Sequence, residues 1–130
     1  MNKTKAEDRQ YLKILSKSLD ISEGRIKADE YGDWNIVGTR GHISTEGDFW
    51  YLYTDSGSVR KWNITKGMLS FMEVHQDGDQ EGVLKCARQP FRDEAMAVRK
   101  VIGVRPRTKL TEEQRANLLK HSYSRATEGF

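Results

Sequence analysis

Hydrophobic positions near the N-terminus recur at helical spacing. Thr4 and Glu7 stand three residues apart, as in a capping box, where each side chain binds the other residue's free backbone amide. The apolar stripe that follows consists of Tyr11, Leu12, Leu15 and Leu19. This pattern predicts an amphipathic helix that begins after Thr4 and buries one face.

The middle of the chain changes to short runs of β-prone residues separated by glycine-containing turns. The runs cover residues 34–37, 42–44 and 49–54. Turns of this length between short strands are typical of an antiparallel meander. The third run alternates between two apolar faces, which are formed by Phe49, Tyr51 and Tyr53 on one side and by Trp50 and Leu52 on the other. We therefore expect a strand near the middle of the sheet, covered on both sides, with its aromatic residues in the core.

A second helix and a second hairpin are predicted next. Ser58 is a suitable N-cap, and the residues after it that are expected to face inward are Val59, Trp62, Thr65 and Leu69. Residues 71–76 and 82–88 have the composition of strands. Asp77 and Gly78 between them form a strong hairpin signal.

The last third of the chain predicts two more helices. The first spans about residues 93–102, with Gly103 as its C-terminal cap and with Ala95, Val98, Val101 and Ile102 buried. A stiff basic connector follows at residues 105–107, and Thr111 begins a last helix with Ala116, Leu119 and Tyr123 on one face. The whole pattern predicts an α+β fold: an antiparallel sheet of about five strands, a meander plus a hairpin, packed by about four helices.

Length and composition favour one domain over residues 1–130. Within it we predict a candidate accessory helix in residues 1–21 and a basic connector with a C-terminal helix in residues 104–130. The chain has no apolar signal region and no run of about 20 apolar residues, so no membrane association is expected. The single cysteine, Cys86, fits a reducing compartment, and we expect a cytoplasmic protein.

Charge is distributed unevenly along the chain. Residues 98–130 hold eight Lys and Arg against three acids, whereas residues 1–97 hold 14 basic and 16 acidic side chains. The candidate nucleic-acid-binding residues are Arg99, Lys100, Arg105, Arg107, Lys109, Arg115, Lys120 and Arg125, extended by Arg60 and Lys61 of the second helix. Such cations neutralise phosphates without recognising base sequence. Arg99 and Lys100 also have a structural explanation, because cations stabilise the C-terminal end of a helix.

Candidate catalytic chemistry is sparse. Asp77, Asp79 and Glu81 alternate in a way that suits a divalent cation, but a solvated hairpin turn explains them better. The histidines, His42, His75 and His121, lack the spacing of a metal site or of a nucleophile and its base. The sequence therefore predicts no catalytic residue, no metal and no cofactor.

Several segments together resemble a family of small uncharacterised proteins from alphaproteobacteria and their mobile elements. They are residues 25–34, 41–43, 60–62, 69–71, 76–82 and 102–105, including the motifs GDW, GHI and QDGDQEG. The likeness covers roughly residues 22–125 and leaves out the N-terminal helix. It implies that the Asp-Gly-Asp turn and the Trp62 helix are family features, and it implies no catalytic residues.

Three functions are compatible with this sequence. The first is a non-enzymatic module that contacts nucleic acid, or a complex containing it, through the basic C-terminal third. The second is a protein-interaction module, such as a phage-type inhibitor or adaptor, that binds an acidic protein surface. The third and least favoured is a metal-dependent nuclease or hydrolase that uses the carboxylates of the Asp-Gly-Asp turn.

Overall fold

The computed structural model describes residues 4–107. Its helices are α1 (Lys5–Leu19), α2 (Val59–Met68) and α3 (Arg92–Ile102), with one turn of 3-10 helix at Glu23–Arg25. Its strands are β1 (Ile26–Ala28), β2 (Trp34–Val37), β3 (Gly41–Glu46), β4 (Phe49–Asp55), β5 (Glu73–Asp77) and β6 (Glu81–Cys86). All pair antiparallel in one sheet of order β1-β2-β3-β4-β6-β5.

The predicted α+β class and the meander and hairpin are confirmed, but the counts differ. The sheet has six strands rather than five, because β1 pairs with β2 from Ile26 opposite Ile36 to Ala28 opposite Trp34. β1 was not predicted, because this three-residue edge strand is mostly exposed and lacks the alternation of buried and exposed residues that marks a strand. Three α-helices lie in the described part. The fourth, expected from Thr111, lies outside the described residues.

Helix α1 begins at a capping box and ends at a residue in the left-handed conformation. The Glu7 amide donates to Thr4 Oγ1 at 3.1 Å, and the Glu7 carboxylate accepts from the Thr4 amide at 3.5 Å, so the predicted capping box is present. Asp20 ends the helix in a left-handed conformation at φ 56°. Three leucines of α1, Leu12, Leu15 and Leu19, are fully buried in the core shared with the sheet.

The two faces of the sheet are covered unequally. One face, here the helix-covered face, carries the buried side chains Ile36, Ile43, Trp50, Leu52, Leu84 and Cys86, which pack with α1, α2 and α3. The other, here the open face, carries Phe49, Tyr51 and Tyr53 of β4, all only half-buried. β4 does lie in the interior of the sheet, as expected. The expectation that both its faces are covered is wrong for residues 4–107, because the described helices pack on one face only.

Helix α2 is held to the β5–β6 hairpin by one tryptophan. Trp62 is 1% exposed and lies against Gly82, where an added Cβ would collide with the indole ring. The Trp62 indole N–H donates to Asp77 Oδ1 at 2.7 Å. Val59 was expected to face inward but is 58% exposed. It is the first residue of α2 and precedes the buried residues Trp62 and Thr65.

Helix α3 completes the core. Ala95, Val98 and Ile102 are buried as predicted, whereas Val101 is half-buried. Gly103 ends the helix at φ 74°, and its amide donates to the Arg99 carbonyl at 2.9 Å. None of the helices within residues 4–107 has both the length and the apolar character needed to cross a membrane.

Candidate binding groove between α2 and α3

A groove of about 310 Å³ lies where α2 and α3 approach the β2–β3 turn. Three cationic side chains line it, one from each of these elements: Arg40 from the turn, Lys61 from α2 and Lys100 from α3. Its apolar part consists of Ile64, Met68 and Val101. The groove is therefore an apolar surface with a cationic rim.

The β2–β3 turn is fixed to the end of α3, which positions Arg40. The Arg40 amide donates to the Ile102 carbonyl, and its guanidinium donates to the Lys100 carbonyl, each at 2.9 Å. Thr39 Oγ1 donates to the Gly103 carbonyl at 3.1 Å. Gly38 lies so close to Ile102 that a Cβ would collide with its carbonyl oxygen, so the turn requires glycine there.

Other polar groups of the groove already have hydrogen-bond partners within the protein. The Asp55 carboxylate accepts from the Gly57 amide at 2.9 Å and from the Gln80 side chain at 3.2 Å. The Ser56 and Thr65 hydroxyls lie 3.2 Å apart, within hydrogen-bond distance. In contrast, Lys61 and Lys100 form no ion pair with any residue in the part of the chain described here. Their charges remain available to an anionic ligand.

Two exposed apolar residues stand between these cations. Ile64 is 53% exposed and Met68 is 37% exposed on the side of α2 that faces the groove. Solitary exposed apolar residues are common, but a cluster inside a concave surface with a charged rim is typical of an interaction site.

Those of the predicted basic residues that lie within residues 4–107 do not all line one surface. Lys61 and Lys100 meet in the groove, whereas Arg60 is exposed outside its lining. The half-buried Arg99 donates to the Leu19 carbonyl at 2.8 Å, which gives it a structural role at the end of α1. Arg105 and Arg107 are exposed, and the Arg107 amide donates to the Asp20 carbonyl at 2.6 Å. The remaining candidates, Lys109, Arg115, Lys120 and Arg125, lie outside the described residues.

Arg40 is the cationic groove residue that sequence reasoning missed, and the apolar residues Ile64 and Met68 were not singled out either. Arg40 sits in a glycine-rich turn about 20 residues before Lys61 and 60 before Lys100, and only the tertiary structure brings the three together. The signal that could have drawn attention to it is its position between Gly38 and Gly41, since glycines mark close backbone approaches.

Two carboxylates of the β5–β6 hairpin, those of Asp77 and Glu81, are engaged by protein donors. Hydrogen bonds from Trp62 and then Lys66, the latter at 3.0 Å, hold the pKa of Asp77 below its ordinary value. Glu81 accepts from the Tyr53 hydroxyl at 2.8 Å, which raises the pKa of Tyr53. Within residues 4–107, no three His, Cys, Asp or Glu side chains are close enough together to hold a metal ion.

Comparisons with known proteins add no assignment. No protein-family model, curated protein or solved structure matches this chain. The resemblance stated from sequence segments therefore stays a prediction.

Proposed function

We propose that the protein is a non-enzymatic binding module whose groove between α2 and α3 holds an acidic, amphipathic segment of a partner protein. The observation that carries the proposal is the convergence of Arg40, Lys61 and Lys100 around exposed Ile64 and Met68. We also propose a cytoplasmic location, consistent with Cys86, which is a buried free thiol.

The combination of apolar and cationic side chains favours a protein ligand. An amphipathic helix places apolar residues on one face and acids along its border, which matches an apolar groove with a cationic rim. A nucleic-acid backbone would satisfy the cations but would leave Ile64 and Met68 without apolar contacts. Base stacking would need an exposed ring, and Trp62, the aromatic residue of α2, is buried.

Anisotropy of a fluorescently labelled helical peptide, with leucine on one face and glutamate along its border, tests the proposal. The full chain should bind this peptide, and Lys61→Glu combined with Lys100→Glu should weaken binding by about tenfold, because two attractions become repulsions. Ile64→Ser should weaken the binding that persists at high salt, where charge attraction is screened.

Arg60→Glu is the matched control. It makes the same charge change on the same helix but lies outside the groove lining. If Arg60→Glu weakened binding as much as Lys61→Glu alone, general attraction to a basic protein would explain the result, and the groove proposal would fail.

Nucleic-acid binding through the basic C-terminal third is the second candidate. Residues 98–130 contain eight Lys and Arg but only three acids, which favours this candidate. Arg105 and Arg107 are also exposed. Anisotropy of labelled single-stranded and duplex DNA and RNA should then show steeply salt-dependent binding that is lost when Arg105, Arg107 and Lys109 become Glu. Absence of binding at low salt would contradict this candidate. If only the groove variants lost nucleic-acid binding, the groove and not the C-terminal third would be the nucleic-acid site.

A further inference from the structure

The open face of the sheet holds a hollow of about 520 Å³ on the side of the molecule opposite the core. Strands β2 to β6 contribute to its floor, in which Asn35, Ser44, Tyr51 and Gln76 are among the lining residues. The paired register of β2 and β3 covers only Ile36 opposite Ile43 and Val37 opposite His42. The hollow is lined by residues of both strands beyond that paired stretch, among them Asn35 of β2 and Ser44 of β3.

Two pairs of rings lie on this face: Tyr51 and His75 both line the hollow, whereas in the second pair His42 lines it and Tyr53 lies outside it. His42 stacks on Tyr53 of the neighbouring strand, with ring centroids 5.1 Å apart and planes inclined by 29°. Tyr51 meets His75 edge to face, also at 5.1 Å. The Tyr51 hydroxyl and the Ser44 hydroxyl make no hydrogen bond with other residues in the described range. Three rings, those of His42, Tyr51 and His75, thus line the hollow and can contact a group bound inside it.

The rim of the hollow is acidic. Its lining includes the carboxylates Asp8, Asp29, Asp33 and Glu46 and contains no lysine or arginine. Hydrogen bonds to the Asp29 carboxylate, first from the Asp33 amide and then from the Tyr31 amide, lower the pKa of Asp29. The rim is therefore negatively charged at neutral pH. Lys5 and Arg9 of α1 lie beside it, bonded to the Tyr31 carbonyl and stacked on Trp34 respectively.

We propose that this hollow binds an arginine-bearing basic segment of a partner protein. A guanidinium group is planar, so it can stack on Tyr51 while its N–H groups donate to rim carboxylates. The chain already uses this pairing, because Arg9 lies 5.0 Å from the Trp34 ring centre and Arg88 lies 4.6 Å from that of Phe91. The hollow is lined by carboxylates and the α2–α3 groove mainly by cations, so this site is independent of the proposed function.

The discriminating property is a preference for arginine over lysine. In anisotropy titrations of the full chain, a labelled arginine-rich peptide should bind about fivefold more tightly than a lysine-rich peptide of equal length, because an ammonium group gains less from the rings. Tyr51→Leu should reduce the preference to near parity. Phe91→Leu, which removes an exposed ring outside the hollow, should leave it unchanged.

Equal affinity for the two peptides would overturn the proposal, since plain charge attraction would then account for binding. An unchanged preference in Tyr51→Leu would also overturn it. Glu46→Gln, at an exposed rim position, keeps the test valid if Tyr51→Leu fails to fold, and it should weaken binding of the arginine-rich peptide. Tighter Tyr51-dependent binding of single-stranded RNA would reject a basic protein segment as the ligand.

The groove variants separate this proposal from the proposed function. Lys61→Glu with Lys100→Glu should leave the preference for arginine intact, because both residues lie outside the hollow. Loss of acidic-peptide binding with retained arginine preference would support both sites. Loss of the arginine preference in these groove variants would contradict a separate site on the open face.

Discussion

The two faces of β4 are both aromatic, yet they differ in what covers them. On the helix-covered face, Trp50 and Leu52 are completely buried and contact the core formed with the helices. On the open face, Phe49, Tyr51 and Tyr53 are half-buried, and their rings contact the side chains of Lys85, His75 and His42 respectively. Alternating aromatic residues therefore do not mean that a strand is buried on both sides.

The same two sides also differ in charge. The groove on the helical side is lined by Arg40, Lys61 and Lys100, whereas the hollow on the open face is lined by carboxylates without lysine or arginine. The net charge of +3 conceals this separation.

The largest expected effect comes from comparing neighbouring residues of β4. Trp50→Ala should lower the free energy of unfolding by about 3–5 kcal/mol, because it leaves a cavity in the core and removes a hydrogen bond from the indole to the Arg88 carbonyl. Tyr51→Ala should cost less than about 1.5 kcal/mol, since its ring is half-exposed. Chemical denaturation measures both. Similar losses for the two variants would show that the open face is as fully packed as the other.

Local signals account for what the sequence predicted correctly. The capping box of Thr4 and Glu7, the N-cap at Ser58 and the left-handed Gly103 each depend on residues within one turn of the helix. The hairpin at Asp77 and Gly78 is likewise a short-range feature. Such local features predicted the order and type of the elements in the described part, apart from β1 and the 3-10 turn before it.

The surfaces could not be predicted because they depend on long-range packing. The sequence grouped Arg99 with Lys100, but α3 turns Arg99 toward the end of α1 and Lys100 toward α2. Arg40 joins Lys61 only because the β2–β3 turn docks on the end of α3. Periodicity also identified the two faces of β4 without indicating which of them the helices cover.

The second prediction compares two glycines on the helical side. Gly82→Ala should destabilise the protein by about 1–3 kcal/mol, because its methyl group would collide with the Trp62 ring and the Gln76 carbonyl. Gly67→Ala, in α2, meets no atom within 4 Å and should stabilise the protein by about 0.5–1 kcal/mol through higher helix propensity. Thermal or chemical denaturation of both variants provides the comparison. A neutral Gly82→Ala would contradict the close contact between α2 and β6.

The smallest expected effect concerns the contact between α2 and the hairpin, and it depends on pH. Hydrogen bonds from Trp62 and Lys66 lower the pKa of Asp77 in the folded state, so the unfolded state binds a proton first as the pH falls. Asp77 therefore stabilises the protein fully above about pH 5, and this contribution is lost as the pH falls through the unfolded and then the folded pKa. In Asp77→Asn, denaturation between about pH 5 and pH 3 should show a shallower loss of stability than in the parent chain.

Asp79→Asn is the matched control, because Asp79 lies in the same hairpin and makes no hydrogen bond with other residues of the described range. Equal slopes for Asp77→Asn and the parent chain would show that the Asp77 contact does not stabilise the protein in solution.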